Sequence, residues 1–299
     1  MGRADRPGAS RADGARRRGR TSGRRHGPGR ARALRTRRLG STGPVASAIG
    51  LGCMGMSGGY GPADEVESLA TIDGALDAGV NLLDTGDFHG MGHNEMLVGR
   101  ALRGRNRDEV VISVKFGALR APGGDWLGID GRPAAVENFL AYTLRRLGVD
   151  HVDAFRPARV DPTVPIEETV GAVAEMVQAG YVRHVGLSKA GATTIRRAHA
   201  THPISDLQIE YCLFARSLEG EILPTCRELG IGVTAYGVLV RNLLSGYWSR
   251  DHELAPGDSA GTDGALAVRT WTAISRSSRR CATWPPPGAS PWPSSRSPG

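Results

Sequence analysis

Long apolar runs and closely spaced cysteines are both absent from this sequence. No apolar stretch approaches the roughly 18 residues that a membrane-spanning helix needs, so we expect no membrane partner. The four cysteines have neither CxxC nor metal-ligand spacing, which argues against a cysteine-based metal site and favours a reduced, cytoplasmic protein. Hydrophobic residues nevertheless make up 40% of the 299 residues, enough to bury a large core.

Acidic residues are nearly absent from the first 38 positions, which hold fourteen basic residues and two acidic ones. The net charge of +8 therefore belongs to this segment, and the remainder is mildly acidic. Residues 1–34 show no apolar periodicity, so we expect a disordered, solvated tail. The tail lacks the apolar segment of a secretory signal. Two alternatives stay open: a stretch translated from a misassigned start and, less favoured, a nucleic-acid-binding arm, although no aromatic residue is there to stack on bases.

Lysine is rarer still, with Lys115 and Lys189 against 36 arginines. Such usage is typical of a GC-rich genome, and it makes each lysine notable. Lys115 ends the apolar run VVISVKF, where a charge is costly to bury unless it is paired. The pairing partner that we predict is Asp84, and the alternative is a lysine that snorkels at the rim of the fold.

From residue 35 onward, strand and helix patterns alternate. Two short strands about a Gly-Pro turn and an apolar strand near residue 50 precede a helix over 64–79, with Asp64 as its N-cap. Later strands are predicted at 80–85, 110–116, 151–157, 184–188, 206–211 and 231–236. Later helices are predicted at 93–103, 133–147, 166–179, 191–200 and 218–229. Seven such units favour an α/β fold of the (β/α)8 TIM-barrel type over an open sheet. The stretch GLGCMG at 50–55 does not follow a first strand as the dinucleotide-binding fingerprint does, so a Rossmann fold is disfavoured.

The alternation stops after residue 258. Residues 259–299 are rich in Arg, Ser and Trp-Pro clusters; no eighth strand is visible, and proline at this density excludes a final helix. Back-translation of this tail with GC-rich codons, read one nucleotide out of phase, yields an amphipathic helical sequence. We therefore hypothesise a frameshift near residues 258–264. The sequence predicts a tail over 1–34, a barrel over 35–258 that is incomplete at strand 8, and a disordered tail over 259–299, with poor solubility or a loosened C-terminal third.

The stretch Asp84–Glu95, DTGDFHGMGHNE, follows an apolar run and opens a helical pattern. This predicts a carboxylate at the C-terminal end of a buried strand, where parallel α/β folds carry their chemistry. The stretch resembles the aldo-keto reductase signature DTAxxYGxGxNE, and residues 151–170 resemble the family's xxDLYQxHRxDPxxPIEET. The resemblance spans roughly Arg35 to Arg250. It implies a TIM barrel whose N-terminal end is closed by a hairpin, and NADP(H)-dependent reduction of a small carbonyl compound to an alcohol.

The resemblance also assigns catalytic positions. Asp84 and Lys115 match the family's paired Asp and Lys, whereas His89 replaces the proton-donating Tyr and Ala158 replaces the His that orients the substrate. We expect Lys115 to lower the pKa of His89 below its usual value of about 6.5, which would leave a poor proton donor. His89 and His93 are four apart, but the glycines between them argue against a metal site, and none is predicted.

For the cofactor, the resemblance implies Ser188 and Gln208 at the nicotinamide carboxamide, Tyr236 stacked on the nicotinamide ring, and Leu239 and Arg241 in the segment that follows. Lys189 replaces the family's Asn, and the residues that hold the adenosine 2′-phosphate would fall in the altered tail. Two hypotheses stay open: an NADP(H)-dependent reductase with impaired catalysis, and a catalytically inactive barrel that binds a ligand or partner or is a decayed reading frame.

Overall fold

The structure is a computed structural model, and it describes residues 34–240 and Leu244. An antiparallel hairpin of β1 (Thr36–Arg38) and β2 (Val45–Ser47) comes first, about the predicted turn. Within it, Gly40 has φ +67°, and a Cβ there would lie 2.4 Å from the carbonyl oxygen of Ser205 and 2.5 Å from that of Gly230. Only glycine allows this close approach, so the hairpin packs against the chain at the N-terminal ends of the last strands.

The remaining strands form a seven-stranded parallel sheet and one separate hairpin. In chain order they are β3 (Leu51–Gly52), β4 (Leu82–Gly86), β5 (Val111–Phe116), β6 (Ala118–Arg120), β7 (Trp126–Ile129), β8 (Val152–Pro157), β9 (Val182–Ser188), β10 (Ile204–Glu210) and β11 (Gly232–Tyr236). The sheet runs in the order β11-β10-β9-β8-β5-β4-β3, and β6 pairs only with β7. All seven strands of this sheet were predicted from the sequence, whereas the β6–β7 hairpin was not.

Within the described residues, six α-helices connect the strands. They are α1 (Glu65–Asp77), α2 (His93–Ala101), α3 (Pro133–Leu147), α4 (Ile166–Gln178), α5 (Ala192–Thr201) and α6 (Ile222–Glu228). Five agree with the predicted bounds to within two residues. The sixth prediction was wrong at its start: Ser217–Glu219 forms a 3-10 turn, and Gly220 then leaves helical geometry at ψ −93°.

The sheet curves into a nearly closed TIM barrel whose seam lies between β3 and β11. No pairing joins these two edge strands within the described residues, in agreement with a barrel that is incomplete at strand 8. The central strands β5 and β8 are buried along their whole length because helices cover one face and the barrel interior the other. No helix in the described part of the chain is long and apolar enough to cross a membrane.

The strand register gathers polar residues on the interior face of the barrel. Asp84 is opposite Ser113, Lys115 is opposite Arg156, and Gln208 is opposite both Ser188 and Thr234. Because neighbours in register point to the same side of a sheet, these side chains face one another across the interior. The predicted site residues on different strands are thus brought together by the fold.

Candidate active site

An ion pair between Asp84 and Lys115 is the centre of the polar interior. Lys115 Nζ donates to Asp84 Oδ2 at 2.5 Å, and Ser113 Oγ and Gln208 Nε2 each donate to Asp84 Oδ1 at 2.9 Å. Burial alone would raise the pKa of Asp84, but Lys115 and Arg156 outweigh it and hold that pKa below its ordinary value. Burial lowers the pKa of Lys115, although Asp84 acts in the opposite direction. The predicted pair is therefore formed.

A second ion pair, which the sequence analysis missed, lies deeper in the barrel. Arg156 is fully buried; its Nη2 lies 3.0 Å from Asp206 Oδ2, and its Nη1 lies 3.7 Å from Asp84 Oδ1. Thr234 Oγ1 also donates to Asp206 Oδ2, at 2.7 Å. Gly186 makes room for this arginine, since a Cβ there would lie 3.1 Å from Arg156 Nε. The sequence did contain a signal for this pair: Arg156 and Asp206 each lie within an apolar strand, and a charge buried there needs a partner.

The two pairs together form a row of alternating charge across the barrel, which we call the charge row: Lys115, Asp84, Arg156 and Asp206. Two cations balance two anions, so the interior carries no net charge from these groups. Asp84 is the shared member, because it contacts both cations. Removing any one member would leave an uncompensated buried charge.

His89, in the position of the family's proton donor, is buried with 4% exposure. Neither ring nitrogen has a partner at hydrogen-bond geometry among the described residues, and Phe88 packs against the ring edge-on at 4.6 Å. Burial first, and Lys115 second, lower the pKa of His89 to about 3, while Asp84 and Asn94 offset this only in part. The predicted direction is confirmed, but burial rather than Lys115 is the larger cause. At neutral pH the imidazole is neutral.

Ala158 lies directly after β8 and is buried with 1% exposure. Its backbone N–H donates to the carbonyl of Phe116 at 2.8 Å, which continues the β5–β8 ladder by one residue. The methyl group offers no donor or acceptor to a substrate. The position that would orient a carbonyl in the family therefore supplies only packing here.

The second half of the signature stretch holds the loop in place. Asn94 Oδ1 accepts from Thr85 Oγ1 at 2.6 Å, and Asn94 Nδ2 donates to the carbonyl of Cys53 at 2.8 Å. Glu95, which is fully buried, accepts from Arg146 Nη1 at 2.9 Å. These bonds tie β4, α2 and α3 together, so the Thr85 and Asn94-Glu95 positions carry structure rather than chemistry.

The histidine that follows, His93, does not face His89. Its Nδ1 shares a hydrogen bond with Ser57 Oγ at 2.9 Å, and its Nε2 lies 3.5 Å from Glu65 Oε2. Within residues 34–240, no three acidic, histidine or cysteine side chains are grouped as metal ligands.

The residues predicted to hold the nicotinamide lie on three adjacent strands. Ser188 is buried, and Gln208 is opposite it in register but has its amide nitrogen engaged by Asp84. The ammonium of Lys189 lies 5.4 Å from the ring centroid of Tyr236, over the ring that would stack on the nicotinamide. Lys189 itself has φ +52°, which is rare outside glycine and asparagine.

The last two predicted cofactor residues lie at the end of the described chain. Leu239 follows β11 and is about half exposed, at 51%. Arg241 and both predicted tails (apart from Leu34) fall outside the described residues. The roles of Leu239 and Arg241, and the three-segment organisation, therefore stay predictions.

Comparison with known proteins agrees with this architecture. The model of the Aldo/keto reductase family matches residues 48–277, beyond the predicted end of the family-like part at 258. A probable aldo-keto reductase 1 from Glycine max is 43% identical over 210 residues. That match covers 70% of this chain and 60% of the relative, so the chain spans less than two thirds of the relative's length.

Two solved structures have the same fold. The glycerol dehydrogenase AKR11B4 from Gluconobacter oxydans is 30% identical with a TM-score of 0.69, covering 77% of this chain and 72% of that one. The holo form of aldo-keto reductase AKR11C1 from Bacillus halodurans is 32% identical with a TM-score of 0.65, covering 74% and 72%. Three findings point to one family: the family model matches most of the chain, the fold is a barrel, and the Asp84–Lys115 pair lies near the C-terminal ends of β4 and β5. The chain belongs to the aldo/keto reductase family.

Proposed function

We propose that the chain is an oxidoreductase that reduces an aldehyde or ketone to an alcohol with NADPH, and that its own substitutions slow the reaction. The observation that carries this proposal is the Asp84–Lys115 ion pair, which stands near the C-terminal ends of β4 and β5 with side chains only 16% and 11% exposed. In barrels of this type that end is where catalytic groups collect. A small carbonyl compound is the partner that we propose. Free cysteines at Cys53, Cys212 and Cys226 support a cytoplasmic location.

The described residues fit the nicotinamide end of NADP(H) if one side chain moves. Ser188, Gln208 and Tyr236 line three adjacent strands, which suits a flat ring with one carboxamide. Lys189 is exposed, and its long side chain can leave the ring of Tyr236 at the cost of a cation–π contact of roughly 0.5–1 kcal/mol. When bound, NADPH supplies the hydride.

The chain's own residues are better suited to polarise the substrate carbonyl than to donate a proton to its oxygen. Asp84 fixes the direction of the Lys115 amine, which can donate a hydrogen bond to a carbonyl oxygen. His89, neutral at pH 7, can donate its remaining N–H but does not give up a proton easily. Ala158 adds no hydrogen bond to align the carbonyl. We therefore expect slow turnover rather than failure to bind.

The second candidate is a barrel that binds but does not catalyse. The observation that favours it is the combination of a buried His89, whose ring nitrogens have no partner at hydrogen-bond geometry among the described residues, and a methyl group at Ala158. In that case the Asp84–Lys115 pair is retained for stability, since loss of one member leaves a buried charge. The two candidates predict different results when the family's residues are restored at His89 and Ala158: only the reductase would gain activity.

The test uses the full chain, NADPH and a reactive aromatic aldehyde. We expect NADPH fluorescence to change on binding, slow NADPH consumption by the wild type, and a rise in kcat of about 100-fold or more in the double variant H89Y/A158H, in line with the usual worth of a positioned general acid. K115M is the matched negative control, and K189N should tighten NADPH binding by freeing the Tyr236 ring. NADPH binding without consumption, in the wild type and in H89Y/A158H alike, would instead support the non-catalytic candidate, and absence of binding in both would refute the proposed cofactor.

A further inference from the structure

The amine of Lys115 occupies an unusual electrostatic position. Its counter-ion Asp84 also faces Arg156 and accepts hydrogen bonds from Ser113 and Gln208. A carboxylate shared among two cations and two neutral donors holds the proton of any one of them less firmly than an exclusive partner would. Because Asp84 is shared within the charge row, it stabilises the protonated form of Lys115 less than an exclusive partner would.

The other titratable groups around Lys115 do not compensate for this. Burial raises the pKa of the Cys53 thiol to about 12, so that group is neutral. His89, with its pKa lowered to about 3, is neutral as well. Burial, followed by Asp84 in the opposite sense and then Arg156, leaves the pKa of Lys115 below its ordinary value. Unprotonated amine at this position is therefore more abundant at pH 7 than in an exposed lysine.

Space for a small molecule exists beside the pair. Gly52 on β3 is opposite Asp84 in register, and a Cβ placed on Gly52 would meet no described atom within 4 Å. Asp84 is the hydrogen-bond partner of Lys115 Nζ among the described residues, and neither His89 nor Ala158 donates to or accepts from it. The side chain of Lys115 keeps 11% of its surface exposed, which leaves a small reagent access to the amine.

We propose that Lys115 forms an imine with small aldehydes, an activity that goes beyond the proposed reduction and needs no nicotinamide cofactor. One proton leaves the ammonium to solvent water, and the free Nζ then attacks the carbonyl carbon to form a C–N bond. A proton moves from nitrogen to the former carbonyl oxygen, which gives a carbinolamine. Solvent returns one proton to the hydroxyl, which leaves as water, and a protonated imine remains on Lys115 with the ionised Asp84 as its counter-ion.

The charge balance of the site favours this product. One ammonium and one aldehyde become one iminium and one water, so the positive charge stays on the same nitrogen. Asp84 remains its counter-ion, and the charge row keeps two cations and two anions. No buried charge is created or lost, which removes the main energetic objection to chemistry at a buried lysine.

The chain offers an internal control, because Lys189 is its one other lysine. The full-length protein, without cofactor, is incubated with acetaldehyde and sodium cyanoborohydride at pH 7 and digested with a protease that does not cleave at lysine. Mass spectrometry then compares alkylation of the two lysines. We expect Lys115 to be labelled about tenfold faster or more, although Lys189 is the more exposed; equal labelling, or faster labelling of Lys189, would overturn the proposal.

A pair of variants tests the role of the charge row. R156Q leaves Lys115 as the one cation of the charge row beside Asp84 and should lower the ratio of Lys115 to Lys189 labelling several-fold. R156Q/D206S does the same without leaving Asp206 as an unpaired buried charge, so it guards against misfolding, which circular dichroism monitors. An unchanged ratio in the folded double variant would contradict the mechanism. Labelling does not involve NADPH, so a protein that labels Lys115 but consumes no NADPH refutes the proposed reduction alone, and the converse refutes only the imine.

Discussion

Asp87 and His89 are two buried titratable groups in one loop whose pKa values shift in opposite senses. Asp87 is 6% exposed; its Oδ2 accepts from the N–H of Gly117 at 3.1 Å, but its Oδ1 has no partner among the described residues. Burial, chiefly, raises the pKa of Asp87 to about 7, whereas that of His89 falls to about 3. Both groups therefore favour their neutral forms in the folded protein. Acid keeps Asp87 neutral, whereas it gives His89 a positive charge.

The Asp87 carboxyl gives a prediction on stability against pH. The pKa of Asp87 in the folded protein lies above the unfolded value of about 3.8. Its contribution to the free energy of unfolding is therefore fully present below pH 3.8 and is lost as pH rises through about 7. D87N keeps an acceptor for Gly117 and removes the charge, so we expect it to be more stable than the wild type at pH 8 by at least about 1 kcal/mol.

Urea unfolding of both proteins at pH 4.5 and pH 8 measures this effect. The gain should be clearly smaller at pH 4.5, where Asp87 is already protonated in the folded wild type, and it vanishes only below about pH 3.8. His89 contributes in the opposite sense, since its depressed pKa costs stability as pH falls from about 6.5 to 3, but it is common to both proteins and cancels in the difference. A gain of equal size at both pH values would refute the assignment.

At the scale of elements, helix α1 begins at a cap that the sequence already indicated. Asp64 has φ −84° and ψ 131°, and its Oδ1 accepts from the N–H of Glu67 at 2.8 Å. We expect D64A to lower stability by about 1 kcal/mol, equivalent to a fall in Tm of roughly 2–4 °C for a domain of this size. D64N is the matched control, because asparagine caps as well as aspartate; an equal loss in D64N would show that charge rather than the hydrogen bond is responsible.

The elements that were predicted well carry local signals. Helix α3 has Pro133 at its first turn and Gly148 at φ +67° after its end, so its predicted bounds agree with the structure. The β6–β7 hairpin was missed because its two strands are short and mostly half-buried or exposed, so no alternation of apolar and polar residues marks them. Short elements depend on tertiary contacts that a sequence pattern does not contain.

The site residues likewise divide into those with a local sequence signal and those that depend on tertiary contacts. Asp84 and Lys115 were found because each ends an apolar run and matches a known motif. Arg156 and Asp206 were missed because they are 50 residues apart, and nothing local indicates which buried charges will meet. Arg156 stands where the family motif has Gln, and it changes the surroundings of Asp84 because its Nη1 lies 3.7 Å from Asp84 Oδ1.

At the scale of the whole molecule, burial of the sheet falls from its centre to its edges. Strands β5 and β8 are buried at every position, whereas β11 is half-buried or exposed throughout, and Gly52 of the opposite edge strand β3 is exposed. An edge strand with few buried contacts opens locally at a lower free energy than a central one. The cooperative core of the described chain is therefore the β4–β9 part of the barrel.

Amide hydrogen exchange of the full chain tests this gradient. We expect backbone amides of β11 and α6 to exchange at least about 100-fold faster than those of β5 and β8, equivalent to an opening free energy lower by about 3 kcal/mol. Amides of β9, which is mostly buried and lies between two paired strands, serve as the internal comparison. If β11 were protected as strongly as β8, the seam between β3 and β11 would have to be closed by contacts outside the described residues, and the predicted weakness of the C-terminal third would be wrong.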